Sequence, residues 1–243
     1  MKLLVIIVSY NTKDITLSCI NSVEKYSPQD TRIIVVDNNS TDGSPEALNK
    51  TSIILINNDQ NLGFSKAVNQ GIKLSKGEYV LILNSDTKVK RDSINRLIEF
   101  AENNGDCGAV GPKLLNSNNS VQASSFNFPT IWGAIQEYWL GIKGKHSKFV
   151  PPGVNPVQVE SLVMACLLIT PQAIKKVGLL DEKFFMYYED IDYCKRIRKA
   201  GLRVYYLPEA EVIHYHGVSG KDLASTSDQW RRLITSSKKY NGL

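Results

Sequence analysis

Leu3-Leu4-Val5-Ile6-Ile7-Val8, closed at once by Ser9-Tyr10-Asn11, is the stretch that decides the fold. An unbroken apolar run rich in β-branched residues, with no polar alternation, describes a strand covered on both faces, as parallel sheets require. The unit then repeats. Asn11 or Thr12 can cap a helix running to about Tyr26, where Ser27-Pro28 ends it. Arg32–Val36, Ile53–Ile56 and Tyr79–Leu83 read as three more strands, with helices over Phe64–Leu74 and Ile94–Glu102. This β-α-β-α order predicts an α/β fold, a mostly parallel sheet flanked by helices and joined by right-handed crossovers.

In such sheets ligands bind beyond the carboxyl ends of the strands. Polar clusters stand at those ends: Ser9-Tyr10-Asn11, Asp37-Asn38-Asn39-Ser40 and Asn84-Ser85-Asp86. Turns are polar in any protein, but parallel strands bring these clusters to one rim, which points to a site.

Composition narrows the class. The 243 residues are 42% hydrophobic and 22% charged, as in a globular chain and not a disordered one. Lysine and arginine number 29 against 24 acids, a net charge of +5 that suits a nucleotide or an anionic membrane surface without requiring nucleic acid. No apolar run approaches the ~18 residues of a membrane span. The N-terminal apolar run is too short for a signal-peptide core, so a cytoplasmic location is expected, with peripheral contact at the inner membrane face. Cys19, Cys107, Cys166 and Cys194 form no C-x-x-C pair and read as buried thiols.

The second half is less regular. Residues 116–157 are rich in Asn, Ser, Pro and Gly and carry Phe126, Phe128, Trp132, Tyr138, Trp139 and Phe149. Ile131, Ile135, Trp139 and Ile142 recur at near-helical spacing, with Lys143, Lys145, His146 and Lys148 following. Two readings stand: an interfacial helix with a basic flank, or a lid helix packed on the core. Val159–Ile169 is expected as one strand, Pro171 opens a helix ending near Gly178, and Asp190–Lys199 is a helix with Asp192 and Arg196 at i,i+4 spacing. Arg203–Leu207 reads as a strand.

Neither G-x-G-x-x-G nor G-x-x-x-x-G-K-[ST] follows the first strand, so a bound phosphate needs another partner. A divalent cation on oxygen ligands is the simplest one, and Asp86 is the best-placed ligand.

At this point the sequence resembles the family 2 glycosyltransferases of the GT-A type, most closely their rhamnosyltransferase-like branch. The resemblance covers roughly residues 3–220. It rests on Val8-Ser9-Tyr10-Asn11, Val35-Val36-Asp37-Asn38-Asn39-Ser40-Thr41-Asp42-Gly43-Ser44, Asn61-Leu62-Gly63-Phe64 with Asn69 and Gly71, Leu83-Asn84-Ser85-Asp86-Thr87, Gly111-Pro112-Lys113, and Phe184-Phe185-Met186-Tyr187-Tyr188-Glu189-Asp190-Ile191-Asp192, closing with Pro208, His214, Gly217 and Ser219.

The resemblance implies a single Rossmann-like GT-A domain over residues 1–220, with a nucleotide-binding half (1–112), an acceptor and catalytic half (113–220) and a helical tail (221–243). It implies a dTDP- or UDP-linked sugar donor, and a saccharide or lipid-linked saccharide acceptor. Asp37 would read the base; Ser9 and Asn11 would lie along the nucleoside. Asn61, Gly63 and Phe64 would wall the ribose and diphosphate, and Tyr10, Asn39, Asn69, Asn84 and Ser85 would also bind the nucleotide. Asp86 and His214 would hold Mg²⁺ or Mn²⁺. Asp190 would be the general base, with Glu189 as the fallback. An ordinary Asp, with a pKa of about 3.9, is ionised at neutral pH. One base and one in-line displacement imply an inverting reaction.

Glu189, Asp190 and Asp192 also suit a plain helix start, and Asp192 is expected to pair with Arg196. His214 and His216 would share a strand face, so the assignment of His214 comes from the resemblance. Asn84 departs from the Asp-x-Asp of many relatives and removes one carboxylate. That departure keeps a non-catalytic nucleotide-sugar-binding module open as an alternative, with a sugar nucleotidyltransferase behind it, since Ser9–Lys13 lacks glycines to cradle a triphosphate.

Overall fold

The computed structural model describes residues 2–144, 147–215 and 226–242. Strand β1 (Leu3–Ser9) pairs in parallel with β2 (Thr31–Asp37) on one side and β4 (Tyr79–Asn84) on the other, and β3 (Ile54–Asn57) adds in parallel to β2. The apolar run of β1 is divided by the two-residue pleat. Leu3, Val5 and Ile7 join the core under α1 (Lys13–Tyr26) and α4 (Ser93–Asn103). Leu4 and Ile6 join the core under α3 (Phe64–Ile72). Both faces are therefore covered, as the sequence requires. The helix α3 lies so close to β1 that a Cβ at Gly71 would stand 2.8 Å from Ile6.

Beyond β4 the sheet becomes mixed. β10 (Cys166–Ile169) runs antiparallel to β4 and to β6 (Cys107–Leu115). β6 is parallel to β11 (Arg203–His214), and β5 (Thr87–Val89) and β8 (Val157–Val159) add antiparallel to β11. β7 (Ser125–Phe126) and β9 (Ser161–Leu162) form a separate small pair. The remaining helices are α2 (Ser44–Leu48), α5 (Ile131–Tyr138), α6 (Pro171–Val177), α7 (Glu189–Lys199) and α8 (Thr226–Asn241). The register builds the rim: Ser9 stands opposite Asp37, Asp37 opposite Asn57, and Val8 opposite Asn84.

Several sequence expectations are corrected. Val159–Ile169 is not one strand. It breaks into the end of β8, β9 and β10, and Val163–Ala165 leave the ladder. Their backbones are tied elsewhere, Val163 N–H to Ser124 O at 2.9 Å and Ala165 O to Asn84 N–H at 2.9 Å. The strand expected to end at Leu207 continues to His214, because the register shift between Leu207 and Glu211 absorbs Pro208, which has no N–H to give. Thr12 does precede α1, but its hydroxyl makes no capping bond; it meets Thr16 Oγ1 at 3.0 Å and Ser85 Oγ at 3.2 Å.

The helix expected near residue 131 forms as α5, with Trp132 on it 62% exposed and, just after it, Trp139 85% and Leu140 60% exposed. Lys145, His146, His216, Gly217 and Ser219 lie outside the described residues. Helix α8 docks through polar and aromatic contacts, with Ser236 Oγ donating to Met186 O at 2.8 Å and Arg232 over the Phe185 ring, while Leu233 and Ile234 stay exposed. All four cysteines are buried thiols, and burial pushes Cys19 and Cys107 up to about 12. Among the described residues no helix is long and apolar enough to cross a membrane.

Candidate active site

A cavity of about 240 Å³ opens at the rim where β1, β2 and β4 end. Of the residues singled out by sequence, Asn61, Gly63, Phe64, Asn84, Ser85, Asp86, Glu189, Asp190 and His214 line it.

The pairing of β11 with β5 brings His214 opposite Thr87, and Tyr215 N–H donates to Asp86 O at 2.8 Å. The side chains meet as well. His214 Nε2 lies 3.3 Å from Asp86 Oδ1, with Asp86 fully buried and His214 8% exposed. The other ring nitrogen, Nδ1, is 2.7 Å from Gln122 Oε1.

The carboxylates of Glu189 and Asp190 come from the first turn of α7. The chain enters this helix through Tyr187 and Tyr188, both at φ +70°, a left-handed conformation uncommon for aromatic residues. The acids thus sit at the positive end of the helix. Burial pushes both carboxyls above the ordinary range, and the charge of Asp190 raises Glu189 further. The Ile191 N–H, donating to Asp190 Oδ1 at 2.8 Å, and the Lys148 ammonium pull Asp190 back down. Both carboxyls are therefore raised, Glu189 with its neighbour's charge adding to burial and Asp190 against two contacts that favour its charged form.

Other residues expected in the site sit differently. Ser9 is buried, and its Oγ faces Thr12 and Thr16 at 3.4 and 3.3 Å, away from the cavity. Tyr10 is half-buried beside it. Asn11, at φ +50°, is bound into the loop above β2, its Oδ1 accepting from Thr41 N–H and its N–H donating to Ser40 Oγ, both at 2.8 Å. Asp37 is buried and accepts from Ser40 N–H at 2.8 Å and Ser40 Oγ at 2.7 Å. Asn39 is exposed; its neighbour Asn38 lines the cavity instead and donates to Gly63 O at 3.3 Å. Asn69 is a tie between elements, bonding both the N–H and the C=O of Leu180 at 2.9 Å and Glu182 Oε1 at 3.0 Å.

Gln122, Val163–Ala165, Met186 and Tyr187 also line the cavity without having been expected there, and so does Lys148, which the sequence offers only as part of a basic flank. Gln122 is a single polar residue in an irregular stretch, without a spacing signal. Met186 and Tyr187 belong to a quoted motif and could have been named on that ground.

Among the described residues no group of three or more His, Cys, Asp and Glu converges. Asp86 and His214 nevertheless fit a hard divalent cation that takes its other ligands from substrate phosphates and water. Oxygen plus imidazole is a usable donor set for it.

The glycosyl transferase family 2 model matches residues 4–162. The chain is 32% identical over 215 residues to the N-acetylglucosaminyl-diphospho-decaprenol L-rhamnosyltransferase of Mycobacterium tuberculosis, covering 79% of this chain and 69% of that protein. It is 24% identical over 216 residues to the dTDP-rhamnosyl transferase RfbF of Shigella flexneri, covering 87% and 68%. The crystal structure of GalNAc-T7 with UDP, GalNAc and Mn²⁺ superposes with a TM-score of 0.68 at 16% identity, over 88% of this chain and 44% of that one, a likeness of fold. The chain belongs to glycosyl transferase family 2 and is a glycosyltransferase of GT-A fold, similar to bacterial rhamnosyltransferases.

Proposed function

We propose that the protein transfers a sugar, rhamnose being the best candidate, from a dTDP- or UDP-linked donor to a lipid-linked saccharide, with inversion and with a divalent cation. The observation that carries this reading is that Asp86, His214 and the Glu189–Asp190 pair share one cavity although they lie far apart in sequence.

In this reading residues 1–112 hold the nucleotide. The Asp37 carboxylate accepts one bond on each oxygen from Ser40 and keeps lone pairs for the imide N–H of thymine or uracil. Asn61, Gly63 and Phe64 flank the diphosphate. Asp86 and His214 hold Mg²⁺ or Mn²⁺, which supplies Lewis-acid stabilisation to the charge that grows on the departing nucleoside diphosphate. The acceptor hydroxyl enters from the side of α7 and passes its proton to Asp190, whose charged form the Ile191 N–H and Lys148 favour. A single displacement at the anomeric carbon inverts it.

The lipid-linked acceptor is supported by the exposed Trp132, Trp139, Leu140 and Ile142. Lys143 follows this apolar group directly. Aromatic and apolar residues flanked by lysine suit an anionic membrane surface. The relatives named above act on rhamnosyl donors or polyprenyl diphosphate acceptors by their names alone.

The test is a donor screen without acceptor. Slow hydrolysis of dTDP-rhamnose, read as released dTDP and dependent on Mn²⁺ or Mg²⁺, is the expected result. Failure of dTDP and UDP to bind with the cation present would overturn the reading.

A further inference from the structure

Gln122 stands in the loop between β6 and β7, and its Oε1 lies 2.7 Å from His214 Nδ1. Which side of that contact carries the hydrogen follows from the loop itself. The backbone N–H of Ser120 donates to Asn118 Oδ1 at 3.1 Å, and a backbone amide cannot act otherwise. Ser120 Oγ, 2.6 Å from the same oxygen, must give its only hydrogen there. Its lone pairs then receive Asn116 Nδ2 at 2.9 Å. Asn116 therefore turns its oxygen to Gln122 Nε2, 2.9 Å away. Gln122 is left with its oxygen facing His214, so Nδ1 carries a hydrogen toward it, and in the neutral ring the lone pair then falls on Nε2. The loop is pinned at both ends of this relay by Gln122 N–H to Leu114 O and Asn116 N–H to Ser120 O, each 2.8 Å.

We propose that Gln122 is a positioning residue for His214. It accepts the Nδ1 hydrogen, fixes the ring plane, and holds the Nε2 lone pair toward Asp86 Oδ1, 3.3 Å away. A lone pair and a carboxylate oxygen converging at that distance form the polarity of a cation site. The inference rests on the cation reading above and deepens it, because the partner that orients a ligating histidine typically governs metal affinity by about 10–100-fold. Ser120, Asn118 and Asn116 extend the same function outward. They give an otherwise undistinguished Asn- and Ser-rich loop a task.

The experiment uses the full chain labelled with ¹⁵N. Two-bond ¹H–¹⁵N spectra at pH 8 report which ring nitrogen of His214 is protonated, without metal and with Mg²⁺ plus dTDP; His214→Phe identifies its resonance among the three histidines of the chain. Mn²⁺ affinity is read separately by electron paramagnetic resonance. The wild type is expected to show the Nδ1–H tautomer. Gln122→Leu is expected to mix the tautomers and to weaken Mn²⁺ by about 10–100-fold, with kcat recovering as Mn²⁺ is raised. Gln122→Glu, which keeps an acceptor oxygen for Nδ1 although it loses the bond to Asn116, retains the Nδ1–H form. Should Gln122→Leu not fold, Asn116→Leu, at a half-exposed position, frees the Gln122 amide to turn and gives the mixed tautomer. A Gln122→Leu or Asn116→Leu protein with wild-type tautomer and wild-type Mn²⁺ affinity overturns the proposal. If the wild type binds no Mn²⁺ while the tautomer still responds to Gln122, the cation reading fails and the orienting role stands.

Discussion

Gly63 and Phe185 are in contact across the cavity wall. A Cβ at position 63 would stand 2.6 Å from both the Phe185 ring and the Phe185 carbonyl oxygen, and that oxygen accepts the Phe64 N–H at 2.7 Å. The contact joins the turn before α3 to the segment that leads into α7. Gly63 also holds φ +82° and ψ 174°, a region that only glycine enters freely. Gly63→Ala therefore adds overpacking to backbone strain. It should destabilise by about 2–6 kcal/mol, from roughly 1–3 for each cause. Urea unfolding measures the loss. Unchanged stability would mean that the two segments part easily and that the wall is not rigid.

The acid pair at the head of α7 should separate by role. Asp190→Asn removes the group proposed to receive the acceptor proton and should lower kcat by about 10²–10⁴-fold. The Kd for dTDP with Mn²⁺ should stay at the wild-type value. Glu189→Gln should lower kcat far less, because burial and the Asp190 charge already favour the protonated form of Glu189. Steady-state kinetics with calorimetric binding decides between them; the reverse ranking would make Glu189 the base.

The pH profile carries the same assignment. Since burial raises Asp190 above the usual carboxylate range, kcat should rise with pH through that raised value, not through about 3.9. Lys148→Met removes a cation that holds Asp190 down, so the acid limb should move to higher pH. Stability changes in the opposite sense. Glu189 binds its proton more tightly in the folded chain than in the unfolded one. Its contribution is complete below the unfolded pKa of about 4.3 and is lost as pH rises toward the folded value. Glu189→Gln should flatten that decline, which denaturation midpoints from pH 5 to 9 would reveal.

The first half of the fold is legible in sequence because each parallel strand is a continuous apolar run that ends in a polar cluster. The mixed half is not. β6 contains Gly108, Gly111 and Pro112, residues that ordinarily break strands, and is held by its neighbours β10 and β11. Pro208 reads as a stop, yet β11 passes it and delivers His214 to Asp86. Within the site, sequence order misplaces single residues where the backbone turns sharply: Asn39, at φ +68°, points outward and Asn38 inward. Asn69 and Gly71 belong to the family pattern for architectural reasons, one tying α3 to Leu180 and the other letting α3 approach Ile6. Polar residues whose value depends on a single partner, such as Gln122, leave no periodic trace.

Membrane contact tests whether the exposed apolar group after β7 serves the acceptor. Trp139 is 85% exposed and Leu140 60%, and Lys143 follows on the same side of the chain's sequence. A single lysine near an anionic surface contributes about 1 kcal/mol, so Lys143→Gln should weaken binding to phosphatidylglycerol vesicles about fivefold. Trp139→Ala should weaken it at least as much, through lost apolar burial. The lysine effect should fade as salt rises past the ~0.1 M at which the Debye length falls to about 10 Å, and the tryptophan effect should persist. Vesicle co-sedimentation at two salt concentrations, with phosphatidylcholine as the neutral comparison, separates the terms. Neither variant lies among the residues lining the cavity, so hydrolysis of the sugar nucleotide should remain at the wild-type rate. Transfer to a lipid-linked acceptor in vesicles should fall while transfer to a short soluble analogue does not. Equal binding of both variants and the wild type to anionic vesicles would show that the apolar group faces something other than lipid.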